Sequence, residues 1–388
     1  MADIVRLPTS QRKIVPYTVQ GTSPYPRTGA PARCRVVYAA AHVVADPLAD
    51  TSPLGPAAID FEATLRFRHH LFDLGLGVAE AMDTAQRGMG LDWDHALKLV
   101  AKSAAEARGR NARIVAGAQS DQLAPGSARS LREVTDAYLE QCAAIEATGA
   151  GVVVMASREA CRLAHGPEDY LELYARVLGE LERPAILHWL GEMFDPALAG
   201  YFGATYEEAS ATLLSIITEH VERVDGVKCS LLDQEKEVDL RSRLPEGVRM
   251  YTGDDFDYPT TMAGDGRRSS DALLGAFDFA APAAAWACAA LDAGDTKAFI
   301  DRLEPTLPLA RHVFSTPTSY YKTGVVFLAY LNGFQDHFKM VGGLESGRSI
   351  VHLAECFRLA DQAGLLVDPE LATRRMRLCL ATAGIEAG

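Results

Sequence analysis

Lys228 is the residue whose setting is hardest to explain without chemistry. It stands in Asp225-Gly-Val-Lys-Cys-Ser230, inside an apolar run rather than on a charged helix face. A lysine in a packed interior must lose its charge or find a partner, because an unpaired buried ammonium is very costly. Desolvation lowers its pKa from ~10.4 toward neutrality, and the free amine attacks carbonyl carbon. The alternative is an ion pair with a buried acid such as Asp254, and spacing alone leaves both open. Other reactive side chains also fall at the ends of apolar runs: His42, Asp83 with Thr84, Gln119, Ser157, His188 with Glu192, Asp254 with Asp255, and Asp278. His188 is a candidate acid–base opposite Lys228, since imidazole titrates near neutrality; its other reading is a satisfied core histidine beside Trp189. Asp254 and Asp255 could orient the amine, bind hydroxyls or ligate a metal. If a divalent ion binds, Asp83, His188, Glu192 and Asp254 are its candidate ligands, although no contiguous motif requires one.

These residues need a scaffold that gathers strand ends. From Arg35 onward, short apolar runs alternate with amphipathic stretches. The runs are Val36–Ala41, Val78–Met82, Arg113–Gly117, Gly151–Ala156, Pro184–Leu190, Gly226–Leu231, Val248–Thr252 and Leu273–Phe279. Near-continuous apolarity suits strands buried on both faces. Eight β/α units with right-handed crossovers predict a (β/α)₈ TIM barrel, whose catalytic groups sit at the C-terminal strand ends. We expect an extended N-terminal arm over residues 1–34, the barrel over 35–295, and a C-terminal helical extension over 296–388. The longer segment Asp195–Val224 leaves room for an extra helical turn. In the extension, Tyr320-Tyr-Lys322 and Phe334-Gln-Asp-His-Phe338 suit subunit packing or closure of the barrel mouth, with core packing the default. His69 and His70 are adjacent on a helix and point about 100° apart, which prevents a shared metal. Gly342-Gly343 with Ser346-Gly347-Arg348 makes a turn that could hold phosphate, but a helix connector is the simpler reading.

Gly226-Val-Lys-Cys-Ser230, followed by Tyr251-Thr-Gly-Asp-Asp255, resembles strands six and seven of the dihydrodipicolinate synthase / N-acetylneuraminate lyase superfamily. Ala112-Arg-Ile-Val-Ala-Gly-Ala118, Gly149-Ala-Gly-Val-Val-Val154 and Pro184-Ala-Ile-Leu-His188 resemble strands three, four and five. The resemblance spans roughly residues 35–295, and the long tail marks a divergent branch of unknown function. It implies a class I lyase with Lys228 as Schiff-base lysine, no cofactor beyond that lysine, and a homo-oligomer. Two departures matter. Where the family carries Gly-Thr-Thr-Gly-Glu to hold a 2-oxo acid, this chain has Met82-Asp-Thr-Ala-Gln86. An ionised Asp83 would repel a carboxylate by about 1–4 kcal/mol. Where the family has a relay tyrosine and, in the synthases, an arginine soon after, this chain has His188 and no arginine. These losses point away from pyruvate and toward a hydroxyl-rich carbonyl compound, a keto-sugar or sugar-acid derivative, because carboxylates accept hydrogen bonds from hydroxyls. Asp83, Thr84, His42, Glu192, Asp254 and Asp255 are the candidate substrate contacts. A metal-dependent sugar isomerase, epimerase or aldolase is the second reading, and a non-catalytic barrel the third.

Composition bounds the rest. A net charge of −13 with no basic run disfavours nucleic acid and anionic lipid as partners. The seven cysteines are scattered without CxxC spacing, which argues for reduced thiols and a cytoplasmic setting and against a zinc site. No apolar run approaches the ~20 residues that cross a bilayer, so no membrane partner is expected.

Overall fold

A computed structural model describes residues 4–21, 23–53 and 55–385. Strands β1 (Ile4–Pro8) and β2 (Ile14–Thr18) form an antiparallel hairpin. β3 (Val37–Ala40), β4 (Gly77–Glu80), β5 (Ile114–Ala118), β6 (Gly151–Val154), β7 (Ala185–Leu190), β8 (Val224–Ser230), β9 (Arg249–Thr252) and β10 (Asp271–Leu274) follow. These eight pair in parallel, in sequence order, and β10 closes on β3. The chain is therefore a (β/α)₈ barrel. Its helices are α1 (Phe61–Asp73), α2 (Trp93–Gly109), α3 (Leu131–Thr148), α4 (Arg158–Leu163), α5 (Pro167–Glu180), α6 (Tyr206–Glu219), α7 (Gln234–Arg243), α8 (Tyr258–Ala263) and α9 (Ala281–Asp292). The tail adds α10 (Thr296–Leu303), α11 (Leu307–Val313), α12 (Tyr321–Leu331), α13 (Ile350–Gln362) and α14 (Pro369–Thr382).

Local sequence explains the boundaries. Side chains of Asp60, Ser130, Thr205, Asp233, Ser349 and Asp368 cap helix starts by accepting backbone N–H groups. Side chains alternate across each strand. One set, including Tyr38, Val115, Val153, Ile186, Tyr251 and Leu273, fills the barrel as a core of its own. The other set joins the helices in one larger core. The same alternation turns Lys228 inward and Cys229 outward.

Three expectations are corrected. The eighth strand is Asp271–Leu274, not Leu273–Phe279. Gly275 ends it, and Ala276–Ala280 form the turn into α9. The C-terminal extension, expected to be helical from residue 296, is broken near its start by a 3₁₀ turn over Glu304–Thr306, where Pro305 and Pro308 remove N–H donors. The N-terminal arm is not merely extended: its hairpin is tied to the tail, where Tyr17 donates to Asp361 Oδ2 at 2.7 Å and Arg377 donates to the Ile4 carbonyl at 2.7 Å. The segment that follows binds the foot of the barrel, where Arg33 and Cys34 N–H groups meet Asp292. The Asp195–Val224 segment does carry extra short helices, at Pro196–Leu198 and Val221–Arg223. No helix is long and apolar enough to cross a membrane among the described residues.

Candidate active site

Lys228 lies on β8 beside His188 of β7; the two are direct register partners. They are neighbours rather than opposite one another as the sequence suggested. Lys228 is 7% exposed, whereas Val227 and Cys229 on either side of it are 0% and 1%. Among the described residues its amine has no ion pair within 4.0 Å and no hydrogen bond. Burial pushes its pKa down, and the charges of Asp83 and Asp255 oppose that. Asp254, the ion-pair partner considered from sequence, is not among the acids acting on it. Asp255 is fully enclosed; its Oδ1 accepts the Ala276 N–H at 2.8 Å. Burial raises its pKa to about 8, against the pull of the Ala276 N–H and of Lys228. Burial thus pushes both groups toward their neutral forms.

His188 differs from expectation in its titration. Burial first, then the Lys228 charge, hold its pKa well below the usual imidazole value. Its Nε2 lies 3.1 Å from Ser230 Oγ, and its Nδ1 is buried without a partner. Burial thus favours the neutral ring, which has one N–H to donate and one nitrogen to accept.

A cavity of about 320 Å³ opens at the C-terminal end of the barrel, walled by the segments that follow β4, β5, β6 and β7 and by the tail; Lys228, His188 and Asp255 do not line it. Asp83, Arg87, Gln119, Arg158, Leu190 and Lys322 are among its walls. Asp83, on the 3₁₀ turn after β4, joins the two regions: it faces the cavity and acts electrostatically on Lys228. Its carboxylate has no hydrogen-bond partner among the described residues. Arg87 is held by Asp121 and by the Gly117 carbonyl, and Arg158 by Asp195 at 2.5 Å.

The tail closes this end of the barrel. Tyr321 stacks on Phe314 with ring centroids 4.4 Å apart, and both pack against Phe194 from the loop after β7. Thr84 Oγ1 lies 2.8 Å from the Tyr321 hydroxyl, so Thr84 docks the tail. Gly275 at the end of β10 makes room: a Cβ there would sit 2.9 Å from Phe314 Cζ and 3.3 Å from Thr84 Oγ1. Tyr321 shares the acids of Lys228, since Asp83 and Asp255, along with burial, raise its pKa well above normal. The residues that sequence reasoning missed are Phe314 and Phe194. For the Tyr320-Tyr-Lys322 run the sequence offered closure of the mouth or core packing, and Tyr321 does both: it is buried in the main core and meets Thr84 at the mouth.

The remaining candidates lie apart. His42 is fully buried, with its Nδ1 2.7 Å from Asp278 Oδ2 and its ring 4.4 Å from that of Phe67; it is outside the cavity wall. Glu192 is exposed on the loop after β7 and does not line the cavity. Asp254 accepts the Phe256 N–H at 2.8 Å, and burial raises its pKa to about 6. It acts on Cys229 and Glu237, which places it on the α7 side rather than beside Lys228. Asp83, His188, Glu192 and Asp254 consequently do not converge as a metal-binding set. Among the described residues, only His312, His352 and Cys356 in the tail bring three such donors within 4.8 Å of one another. The connector at Gly342 and Gly343 uses left-handed backbone, φ 66° and 70°.

At the other end of the barrel a cavity of about 370 Å³ is lined by Arg35, Arg110 and Arg113 without a carboxylate, imidazole or lysine. It offers no acid–base pair, so the mouth is the candidate site.

The fold is shared with dihydrodipicolinate synthases. A monomeric dihydrodipicolinate synthase variant matches with a TM-score of 0.64 at 15% identity, over 86% of this chain and 97% of that one. The synthase from Thermotoga maritima matches with 0.62 at 16%, over 86% and 99%. A putative dihydrodipicolinate synthetase from Pseudomonas aeruginosa matches with 0.60 at 16%, over 83% and 98%. At these identities the likeness is one of fold. No curated protein matches the chain. Residues 5–385 match the family described as a protein of unknown function (DUF993), and the chain belongs to that family.

Proposed function

We propose that the chain is a class I lyase that forms a Schiff base through Lys228 with a small carbonyl compound, a keto-sugar or sugar-acid derivative rather than pyruvate. The observation that carries this reading is the enclosed Lys228 amine, without an ion pair, beside an Asp255 carboxyl whose pKa is raised to about 8. The Lys228 Nζ lone pair forms a bond to the carbonyl carbon, and the carbonyl oxygen takes up a proton to give a carbinolamine. Loss of that hydroxyl as water leaves an iminium, which accepts the electron pair of the adjacent bond as it breaks. Asp255, protonated at rest, gives its proton to the carbonyl oxygen, takes one from the attacking nitrogen, and passes that one to the departing hydroxyl. A carboxyl that titrates near the working pH is suited to both tasks. His188 and Ser230 fix the floor of the site. Asp83 accepts hydrogen bonds from substrate hydroxyls and discourages a carboxylate next to the reacting carbon.

The test is borohydride reduction in the presence of a panel of keto-sugars, ketoaldonates and pyruvate, followed by peptide mass spectrometry. A reduced adduct on Lys228 from a polyhydroxylated carbonyl compound is expected, and Lys228→Ala should abolish it. Trapping of pyruvate alone would defeat the substrate assignment, and no adduct with any member would defeat the Schiff base.

A further inference from the structure

Lys322 comes from α12 in the tail, yet it forms part of the barrel mouth. It is 4% exposed. An ammonium has three hydrogens to donate, and among the described residues one hydrogen bond is made, to the Ser319 carbonyl at 3.0 Å. Among the described residues it has no ion pair within 4.0 Å. The two arginines of the cavity are already paired, Arg87 with Asp121 and Arg158 with Asp195. Asp83 and Lys322 thus remain, one acceptor and one donor on the same wall, neither paired. A buried cation with unspent donors is costly unless a ligand satisfies it. Burial lowers the Lys322 pKa to about 8, with Asp83 and Asp195 holding it up, so the group is mostly protonated at neutral pH.

We infer that Lys322 anchors an anionic group, a carboxylate or a phosphate, at the end of the substrate away from its reacting carbonyl, while Asp83 takes the hydroxyls between. This rests on the mouth cavity being the substrate site. It narrows the substrate from keto-sugars in general to acidic ones. The arginines are neutralised by Asp121 and Asp195 in the same lining, which leaves Lys322 as the cation free to meet an anion; the aromatic face of Tyr321, 4.7 Å from Lys322 Nζ, holds the ammonium in place.

The experiment uses the full chain and ligands that lack a carbonyl, so it is independent of the Schiff base. Titration calorimetry compares sorbitol, gluconate and sorbitol 6-phosphate on the wild type, Lys322→Met and Lys322→Arg. One of the two anions should bind about ten- to a hundredfold tighter than sorbitol, the usual range for a charge-assisted hydrogen bond. Which anion does so separates carboxylate from phosphate. Lys322→Met should erase the preference of the favoured anion over sorbitol, and Lys322→Arg should keep part of it. Equal affinities in the wild type, no binding of any of the three, a preference that survives Lys322→Met, or a Lys322→Met loss shared equally by all three would overturn the inference. Should Lys322→Met not fold, Lys322→Gln carries the same comparison. If instead the anion preference holds and borohydride traps nothing at Lys228, the Schiff-base reading fails alone.

Discussion

Lys228→Met separates a nucleophilic amine from a structural cation through the sign of its effect on stability. Methionine keeps the length and much of the volume of lysine while removing the amine. If Lys228 is a desolvated amine without a partner, the folded state carries the penalty of an unsatisfied buried polar group, about 1–3 kcal/mol. Asp255 is not stranded by the change, because a carboxyl raised to about 8 is mostly protonated at pH 7. Asp83 faces the cavity, where water reaches it. The variant should therefore be more stable than the wild type by about 1–3 kcal/mol. Urea unfolding followed by the fluorescence of the three tryptophans reads this as a raised midpoint at unchanged slope. A buried ion pair behaves oppositely: removing one partner costs about 3–5 kcal/mol because the other charge is left uncompensated. A midpoint lowered by that amount would refute the free amine and, with it, the nucleophile.

Asp255→Asn tests the acid. The folded-state value of about 8 lies above the ordinary 3.8, so the folded chain holds this proton more tightly. That contribution is full below about pH 4 and is lost as pH rises through about 8. The variant should flatten the decline in stability between those limits, as read from unfolding midpoints across pH, and an unchanged slope would rule the shift out. Glu80→Gln should cost about 3–5 kcal/mol, because the fully buried Arg68 binds that carboxylate through Nε at 2.9 Å and a terminal nitrogen at 2.6 Å; urea denaturation checks it. Tyr321→Phe should cost about 1–2 kcal/mol by leaving the Thr84 hydroxyl unpaired. Its thermal midpoint, together with faster proteolysis of the tail, reports the loosened closure.

The barrel was legible because its signal is local. Runs such as Gly151–Val154 are apolar on both faces, and a strand between helices and an interior core requires that. Lys228 was legible for the same reason, as a charge standing where the pattern forbids one. What sequence could not supply was direction and distance. Asp254 and Asp255 are chemically identical neighbours. A turn sends Asp255 to Ala276 and Lys228, and sends Asp254 to the outer side with Glu237. Glu192 sits two residues beyond β7, yet the loop carries it into solvent. The eighth strand was misplaced because Ala276-Phe-Asp-Phe279 is as apolar as the strand before it, and only the fold shows Gly275 as the break.

The tail was the least legible part, and it alters the substrate argument. The losses at strands two and five read as loss of anion recognition, and Asp83 does face the cavity as that reading required. The inference about Lys322 adds that recognition of charge has moved rather than vanished, from the barrel strands to a helix that reaches the mouth only after the tail has folded back over it. Repulsion by Asp83 falls with distance. The arrangement therefore disfavours an acid whose carboxylate adjoins the carbonyl and accepts one whose charge lies at the far end. A barrel without its tail would keep Lys228 and lose Lys322, Tyr321 and Phe314. On the function proposed above, it would still form the Schiff base but lose its preference for a distant charge, because the contact of α12 with Thr84 and Gly275 is what holds Lys322 at the mouth.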